Sequence, residues 1–162
     1  MHIDIRPFTP SDLDELQHIR ELAFAPVFSS FRNLVGPKIA GVALASAEAE
    51  QAELLAGMCA PDSPEQVFVA VLDGKIVGFT GLSLDENTRV GEIGLNAVHP
   101  DVSGRGIGTR LYRFAIEAMK AGGMKVASVG TGGDPSHAPA RRAYEKAGFG
   151  PAMPSVWMYR SL

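Results

Sequence analysis

Val98-His99-Pro100-Asp101-Val102-Ser103-Gly104-Arg105-Gly106-Ile107-Gly108 joins an alternating, strand-like run to an amphipathic, helix-like one. Upstream, Arg89 to Val98 reads as a strand. Downstream, Ile107, Leu111, Phe114, Ala115 and Ala118 recur at helical spacing. Glycines at 104, 106 and 108 let the backbone turn tightly and approach a ligand without a side-chain clash. The first amides of such a helix lack intrahelical partners and, with the helix dipole, attract anions. The stretch therefore suits a pyrophosphate, and a plain turn is the competing reading. A Walker A loop needs Gly-Lys-Ser/Thr after the glycines, which is missing. A dinucleotide site wants an early strand–loop–helix that opens a βαβ half, whereas this loop comes late and follows hairpins.

Reading backwards, Gln66 to Leu72, a turn at Asp73-Gly74 and Lys75 to Leu84 form a hairpin. With Arg89 to Val98 they make an antiparallel meander. His2 to Arg6 alternates as a short first strand. Thr9-Pro10-Ser11-Asp12 looks like a helix start, followed by an apolar stripe at Leu13, Leu16, Ile19 and Ala23. Pro26 is expected to end or bend that helix. Residues 26 to 45 are dense in Phe28, Phe31, Leu34 and Val35, in a broken-helix or loop context that serves either the core or a substrate pocket. Ser46 to Leu55 reads as a helix with Gly57 as a stop.

Reading forwards, Gly122-Gly123 stops the helix after the glycine loop. Lys125 to Val129 is a short strand. Asp134 or Ser136 caps a further helix carrying Ala140, Ala143, Tyr144 and Ala147, which Gly148 closes. Ser155 to Arg160 is expected to be a last strand. The alternation implies a right-handed crossover beside the meander. The expected class is α/β: a mixed, mostly antiparallel central sheet with helices on both faces. Residues 1–162 form one domain, with no linker or repeat dividing them.

Composition narrows the function classes. Apolar residues are 46% and net charge is -3. Residues 1–99 carry six Lys and Arg against fourteen Asp and Glu, and residues 100–162 carry nine against four. A phosphate-rich ligand held by the last part explains this asymmetry, as does an unevenly charged surface. No basic block suggests nucleic acid. No apolar run spans a membrane, and MHIDIRPF does not read as a signal peptide, so a cytoplasmic location is expected. The single Cys59 makes no internal disulfide, and the four histidines lack helical zinc spacing, so no metal site is expected.

Ser103-Gly104-Arg105-Gly106-Ile107-Gly108 resembles the pyrophosphate loop of the GNAT superfamily of N-acetyltransferases, Gln/Arg-x-x-Gly-x-Gly/Ala. Ser103 departs from its first position. His137-Ala138-Pro139-Ala140-Arg141-Arg142-Ala143-Tyr144-Glu145-Lys146-Ala147-Gly148-Phe149 is similar to the family's Asn-x-x-Ala-x-x-x-Tyr segment, with His137 where Asn is usual. The resemblance covers residues 90 to 149 in detail and implies a GNAT-like acyl-CoA N-acyltransferase fold. It also implies acetyl-CoA as cosubstrate and a small-molecule or peptide amine as acceptor, acetylated by direct attack in a ternary complex. A noncatalytic acyl-CoA-binding or sensing module is the alternative.

For that chemistry the resemblance points to Glu92 as base and Tyr144 as acid. It also implies coenzyme contacts from Ala97, Val98, Ser103, Gly104, Arg105, Gly106, Ile107, Gly108, Thr109, His137 and Ala140, and a bulge near Ala97 and Val98. Strand parity would put Glu92, Gly94, Asn96 and Val98 on one face if no bulge intervenes. Glu92 as a solvated surface residue and Tyr144 as core packing are the plain alternatives. Arg110 and Arg141 are weaker phosphate candidates, His137 either titrates or merely caps, and Cys59 reads as packing. Homodimerisation, common in the family, stays open.

Overall fold

The computed structural model describes residues 2–162. Strand β1 (Asp4–Pro7) leads through a single 3-10 turn, Pro10–Asp12, into helix α1 (Leu13–Val35). Asp12 fixes that entry. Its carboxylate accepts from the Thr9 N–H at 2.8 Å and from the Arg6 guanidinium of β1 at 2.7 and 3.0 Å. Helices α2 (Pro37–Ala43) and α3 (Ala47–Met58) follow. The meander is β2 (Gln66–Leu72), β3 (Lys75–Asp85) and β4 (Val90–Val98). Then come α4 (Ile107–Ala121), β5 (Val126–Val129) and α5 (Ala138–Ala147).

The five strands lie in the order β1-β2-β3-β4-β5. Every neighbouring pair is antiparallel except β4 and β5, which are parallel. Helices α4 and α5 cover one face, where Leu82, Ile93, Leu111 and Tyr112 form one apolar cluster. Helices α1 and α3 cover the other, where Leu16, Ile19, Leu55 and Phe79 are fully buried. Full burial of such a side chain contributes about 1.5–3 kcal/mol, so two apolar layers hold the sheet between them. The mixed sheet with helices on both faces is as the sequence leads one to expect.

Three local expectations are corrected. First, of the end or bend expected at Pro26, the end does not occur: α1 continues for nine more residues, with Pro26 inside it. Pro26 is exposed while Val27 and Phe28 beside it are buried. Water can satisfy the carbonyl that proline leaves unbonded, while the apolar side keeps the helix together. The end comes at Gly36, which has φ 81°. Second, α3 runs through Gly57 to Met58. Third, the strand expected at Ser155–Arg160 does not form: residues 150–162 have no regular structure and are exposed throughout. A strand needs a ladder partner for its backbone groups, and among the described residues this segment pairs with no strand.

A bulge in β4 positions everything that follows. Thr80 pairs with Asn96, yet Leu82 pairs with Ile93, so Gly94 and Leu95 together oppose Gly81. Ile93 consequently packs with the α4 side and Ala97 with the α1 side, although both have the same parity. Strand β5 accompanies β4 only along Val90–Ile93. β5 ends at Val129, opposite Ile93, so beyond the bulge the outer edge of β4 has no strand beside it.

Candidate functional site

Along β4 beyond the end of β5, a cavity of about 780 Å³ opens. Its floor is Asn96, Ala97 and Val98 of β4. Ser103, Gly104 and Gly106 form one end, with Ile107, Gly108 and Thr109 of α4. Ser136, His137 and Ala140 close another side, and Phe24 and Val27 of α1 approach from the opposite sheet face.

The loop has the conformation that its glycines suggest. Gly104 and Gly106 both lie in the left-handed region, at φ 77° and 79°, which costs an L side chain roughly 1–2 kcal/mol. Gly106 caps α4, and Arg110 N–H closes on its carbonyl at 3.1 Å. The amides of Ile107, Gly108 and Thr109 precede that closure and have no helical acceptor. Arg110 and Arg113 of α4 and Arg142 and Lys146 of α5 line the same cavity. A helix N-terminus beside four cations favours a multiply charged anion.

A hydrogen-bonded polar group stands behind the floor. Tyr112 donates its hydroxyl proton to Asn96 Oδ1 at 2.8 Å, and Asn96 Nδ2 donates to the Tyr144 hydroxyl oxygen at 3.0 Å. The two rings lie 4.4 Å apart. Burial pushes the Tyr144 phenol above its ordinary pKa, against the hydrogen bonds from Asn96 and Tyr112. Burial likewise raises Tyr112, helped by Tyr144. Both phenols therefore keep their protons at neutral pH. The Tyr144 hydroxyl can in turn donate to Asn96 Oδ1, at the longer distance of 3.4 Å.

His137 sits in a second network. Its Nδ1 lies 2.7 Å from Asp134 Oδ1, and its ring stacks on Phe31 of α1 with centroids 5.7 Å apart. Asp134 also accepts from Ser30 Oγ at 2.9 Å and from the Ser136 N–H at 3.1 Å. Burial would raise the Asp134 pKa, but hydrogen bonds from Ser136, His137 and Ser30 hold it well below the carboxylate range. Only glycine fits at Gly132, where a Cβ would come 2.4 Å from His137 Nδ1. Arg141, a weak phosphate candidate in the sequence, instead donates to the carbonyls of Gly132 and Asp134. It braces the loop that carries His137.

Of the residues expected to touch the coenzyme, Ala97, Val98, Ser103, Gly104, Gly106, Ile107, Gly108, Thr109, His137 and Ala140 all line this cavity. Arg105 is exposed and does not line it. Tyr144 is buried and reaches the wall through Asn96. Glu92 is exposed and does not line the cavity. The bulge breaks the expected parity, so Glu92 faces the α1 and α3 side while Asn96 faces the tyrosines. There Glu92 influences Glu65, whose pKa is raised by burial and by the Glu92 charge. The expected bulge near Ala97 and Val98 falls slightly earlier, at Gly94 and Leu95.

A family model described as acetyltransferase (GNAT) matches residues 42–149. The chain belongs to the GNAT acetyltransferase family. A mycothiol acetyltransferase from Streptomyces coelicolor is 29% identical over 86 residues, which are 53% of this chain and 27% of that relative. The chain thus spans well under half the length of that curated relative. A GNAT-family structure from Desulfovibrio desulfuricans superposes with TM-score 0.71 at 19% identity, covering 94% of this chain and 87% of that one. A GNAT acetyltransferase from Brucella melitensis, solved with acetyl-CoA, gives TM-score 0.63 at 24% identity over 94% of this chain and 92% of its own. The ribosomal-protein-S18-alanine N-acetyltransferase of Escherichia coli gives 0.67 at 18%, over 94% and 80%. At these identities the structures establish the GNAT fold.

Asn96, Tyr112, Arg113, Arg142 and Lys146 are cavity residues that the sequence did not single out. For the cations a signal existed: Arg110 and Arg113 are three apart, and Arg142 and Lys146 four apart, so each pair shares a helix face. Asn96 and Tyr112 carry no comparable signal, because their contact joins a strand to a helix.

Proposed function

We propose that this GNAT-family protein transfers an acetyl group from acetyl-CoA to a primary amine of a small molecule or peptide, by direct attack in a ternary complex. The observation that carries this reading is the cavity along β4 beyond the end of β5, where the first amides of α4 and four cations line one space. Its size and donor set fit a long ligand with a diphosphate. Ile107, Gly108 and Thr109 would receive the phosphates through their amides, with Arg110 and Arg113 beside them. The unpartnered edge of β4 after Gly94 would hold the amide-bearing arm in strand fashion. When bound, acetyl-CoA supplies an activated acetyl group and leaves as the free thiol.

Two proton positions follow from this chain's own residues. Tyr144 holds a proton at its hydroxyl, oriented by Asn96, and serves as the acid. Glu92 lies on the opposite face, in the part of β4 that is paired on both sides. An amine entering from the α1 and α3 side would meet Glu92 first and lose its proton there, directly or through water. The acid-rich first part of the chain favours a cationic acceptor on that side. Burial pushes the Cys59 thiol up to about 11, so it offers no thiolate at neutral pH and a covalent acetyl-cysteine route is disfavoured.

An acetyl-CoA turnover screen over an amine library, with thiol release monitored, tests the proposal. One thiol released per amine acetylated is expected. Tight coenzyme binding with no thiol release for any amine would favour a noncatalytic acyl-CoA-binding module. Binding of free nucleotides in preference to coenzyme A would overturn both.

A further inference from the structure

In the proposed reaction an ammonium substrate sheds two protons from nitrogen, one before it attacks and one after. Glu92 lies outside the cavity and suits the first. The second proton leaves inside the cavity and calls for an acceptor there. The Asp134–His137 pair has the geometry of one.

Three contacts fix the His137 ring. Nδ1 lies 2.7 Å from Asp134 Oδ1. One ring face stacks on Phe31 of α1, 23° from parallel. The Nδ1–Cε1 edge lies against Gly132, where a Cβ would come 2.7 Å from Cε1. Asp134 also accepts from Ser30 Oγ and the Ser136 N–H. An ionised carboxylate only accepts, so the hydrogen shared with the ring belongs to Nδ1. A neutral ring then keeps its lone pair on Nε2. Nε2 has no hydrogen-bond partner among the described residues. With one face and the Nδ1 edge covered, the Nε2 edge is what His137 presents to the cavity it lines.

The position along α5 is also suitable. His137 ends a 3-10 turn, Pro135–His137, that runs straight into α5. His137, Ala140 and Tyr144 follow at i, i+3 and i+7, on one helix face. Seven residues of helix span roughly 10 Å, and helical side chains lean toward the N-terminus, which carries Tyr144 back toward Ala140. Ala140, small and lining the cavity, separates the two titratable groups.

Building on the acetyl-transfer reading, we infer that Nε2 of His137 is the second proton acceptor of the reaction, with Asp134 as its positioning residue. After Glu92 has taken one proton, the neutral amine attacks the acetyl carbon. The C–N bond forms and the carbonyl π pair moves to oxygen. The nitrogen then bears two hydrogens and a positive charge, and Nε2 takes one of the two. As the carbonyl re-forms, the C–S bond breaks with its electron pair on sulfur, and Tyr144 gives sulfur its proton. The imidazolium returns its proton through water to the Tyr144 phenolate. Amide, free thiol and one proton on Glu92 remain, so atoms and charge balance. Charges of both signs surround the ring. Asp134 is the anion, and Arg141 of α5 bonds the carbonyls of Gly132 and Asp134. From α1, Ser30 and Phe31 face the pair without charge. Arg110 and Arg113 of α4 and Arg142 and Lys146 of α5 stand elsewhere on the cavity wall.

Thiol release across pH, with an amine that the full chain acetylates, and calorimetric titration with coenzyme A provide the test. His137→Asn keeps a hydrogen-bonding side chain that cannot take a proton. It should lower kcat by about a hundredfold and leave the coenzyme Kd within about twofold. It should also remove the rise of kcat with pH that deprotonation of the ring gives. His137→Ala should lose as much and recover activity with added imidazole, in proportion to its free base. Asp134→Asn should flatten the same pH profile, because an amide that donates to Nδ1 moves the ring hydrogen to Nε2. Three results would each overturn the inference. One is kcat retained in His137→Asn. Another is a Kd that weakens in step with kcat, which would make His137 a coenzyme contact alone. The last is a His137→Ala chain that binds coenzyme and stays inactive with imidazole. Failure of the acetyl-transfer reading shows elsewhere, in the unsubstituted chain, as coenzyme bound with no thiol released for any amine, and would overturn both.

Discussion

The two faces of β4 differ in kind. On the α4 and α5 face, Asn96 is locked between two buried tyrosines, and Arg110, Arg113, Arg142 and Lys146 line the cavity beside them. On the α1 and α3 face, Glu92 is exposed and Glu65 carries a raised pKa beside it. One face is fixed and basic, the other open and acidic. A fixed, basic wall suits a ligand of constant shape and negative charge. An open, acidic surface suits acceptors that vary and carry positive charge. In the proposed reaction, this single bulge would let one strand serve two substrates of opposite sign.

The largest expected effect falls on the fixed face. Tyr144→Phe should lower turnover by about a thousandfold while leaving coenzyme affinity nearly unchanged, because the proton is lost and the cavity is not. Equal kcat in the variant, measured by thiol release, would remove the acid role. Glu92→Gln should cost about a hundredfold in kcat/KM, the lower end for a base whose exposed position lets water substitute. Its loss should shrink as pH rises, since more of the amine is then already neutral. A pH-independent loss would break the assignment of a base to the acidic face.

Arg110→Ala should raise the coenzyme Kd by about tenfold, the cost of one charge-assisted contact, with kcat at saturation retained. Calorimetric titration decides this, and an unchanged Kd would return Arg110 to the solvent. Outside both faces, Asp12 clamps β1 to α1. Hydrogen bonds from Arg6 hold its pKa at about 2 against the opposing effect of burial. Its contribution is therefore present above the ordinary carboxylate value and lost as pH falls through about 2. Asp12→Asn should cost about 1 kcal/mol at pH 7 and nothing at the acid limit, read from urea midpoints.

The smallest effect belongs to Glu65. Burial and the Glu92 charge raise its pKa, so its favourable contribution holds at acid pH and fades as pH rises through the raised value. Glu65→Gln should raise Tm slightly at neutral pH and leave it unchanged in acid. Glu92→Gln should reproduce part of that gain. Lack of any coupling between the two would separate the carboxylates that define the acidic face.

Strand and helix identities from Gln66 to Ala147 were legible because hydrophobic period and turn residues are local properties. The glycine loop was legible for the same reason: positive φ at Gly104 and Gly106 is a demand that a residue type announces. The register of β4 was not. Nothing local in Gly94-Leu95-Asn96 says that two residues will oppose Gly81, and that one shift moved Glu92 to the far face from Tyr144. The roles of Asn96 and Tyr112 were hidden because a hydrogen bond between residues sixteen apart exists only after packing. Pro26 left an end or a bend open because its effect depends on whether water can reach the carbonyl it strands, which is a matter of burial.

The amino-acid sequence by itself determined which segments alternate, which turn, and that amides after Val98 would be left without helical partners. Those follow from backbone sterics within a few residues. Only the tertiary structure decided where β4 leaves β5, which face each carboxylate occupies, and that Ser155–Arg160 stays unpaired within the chain. Such outcomes depend on contacts between distant segments, where burial and ladder pairing outweigh local preference.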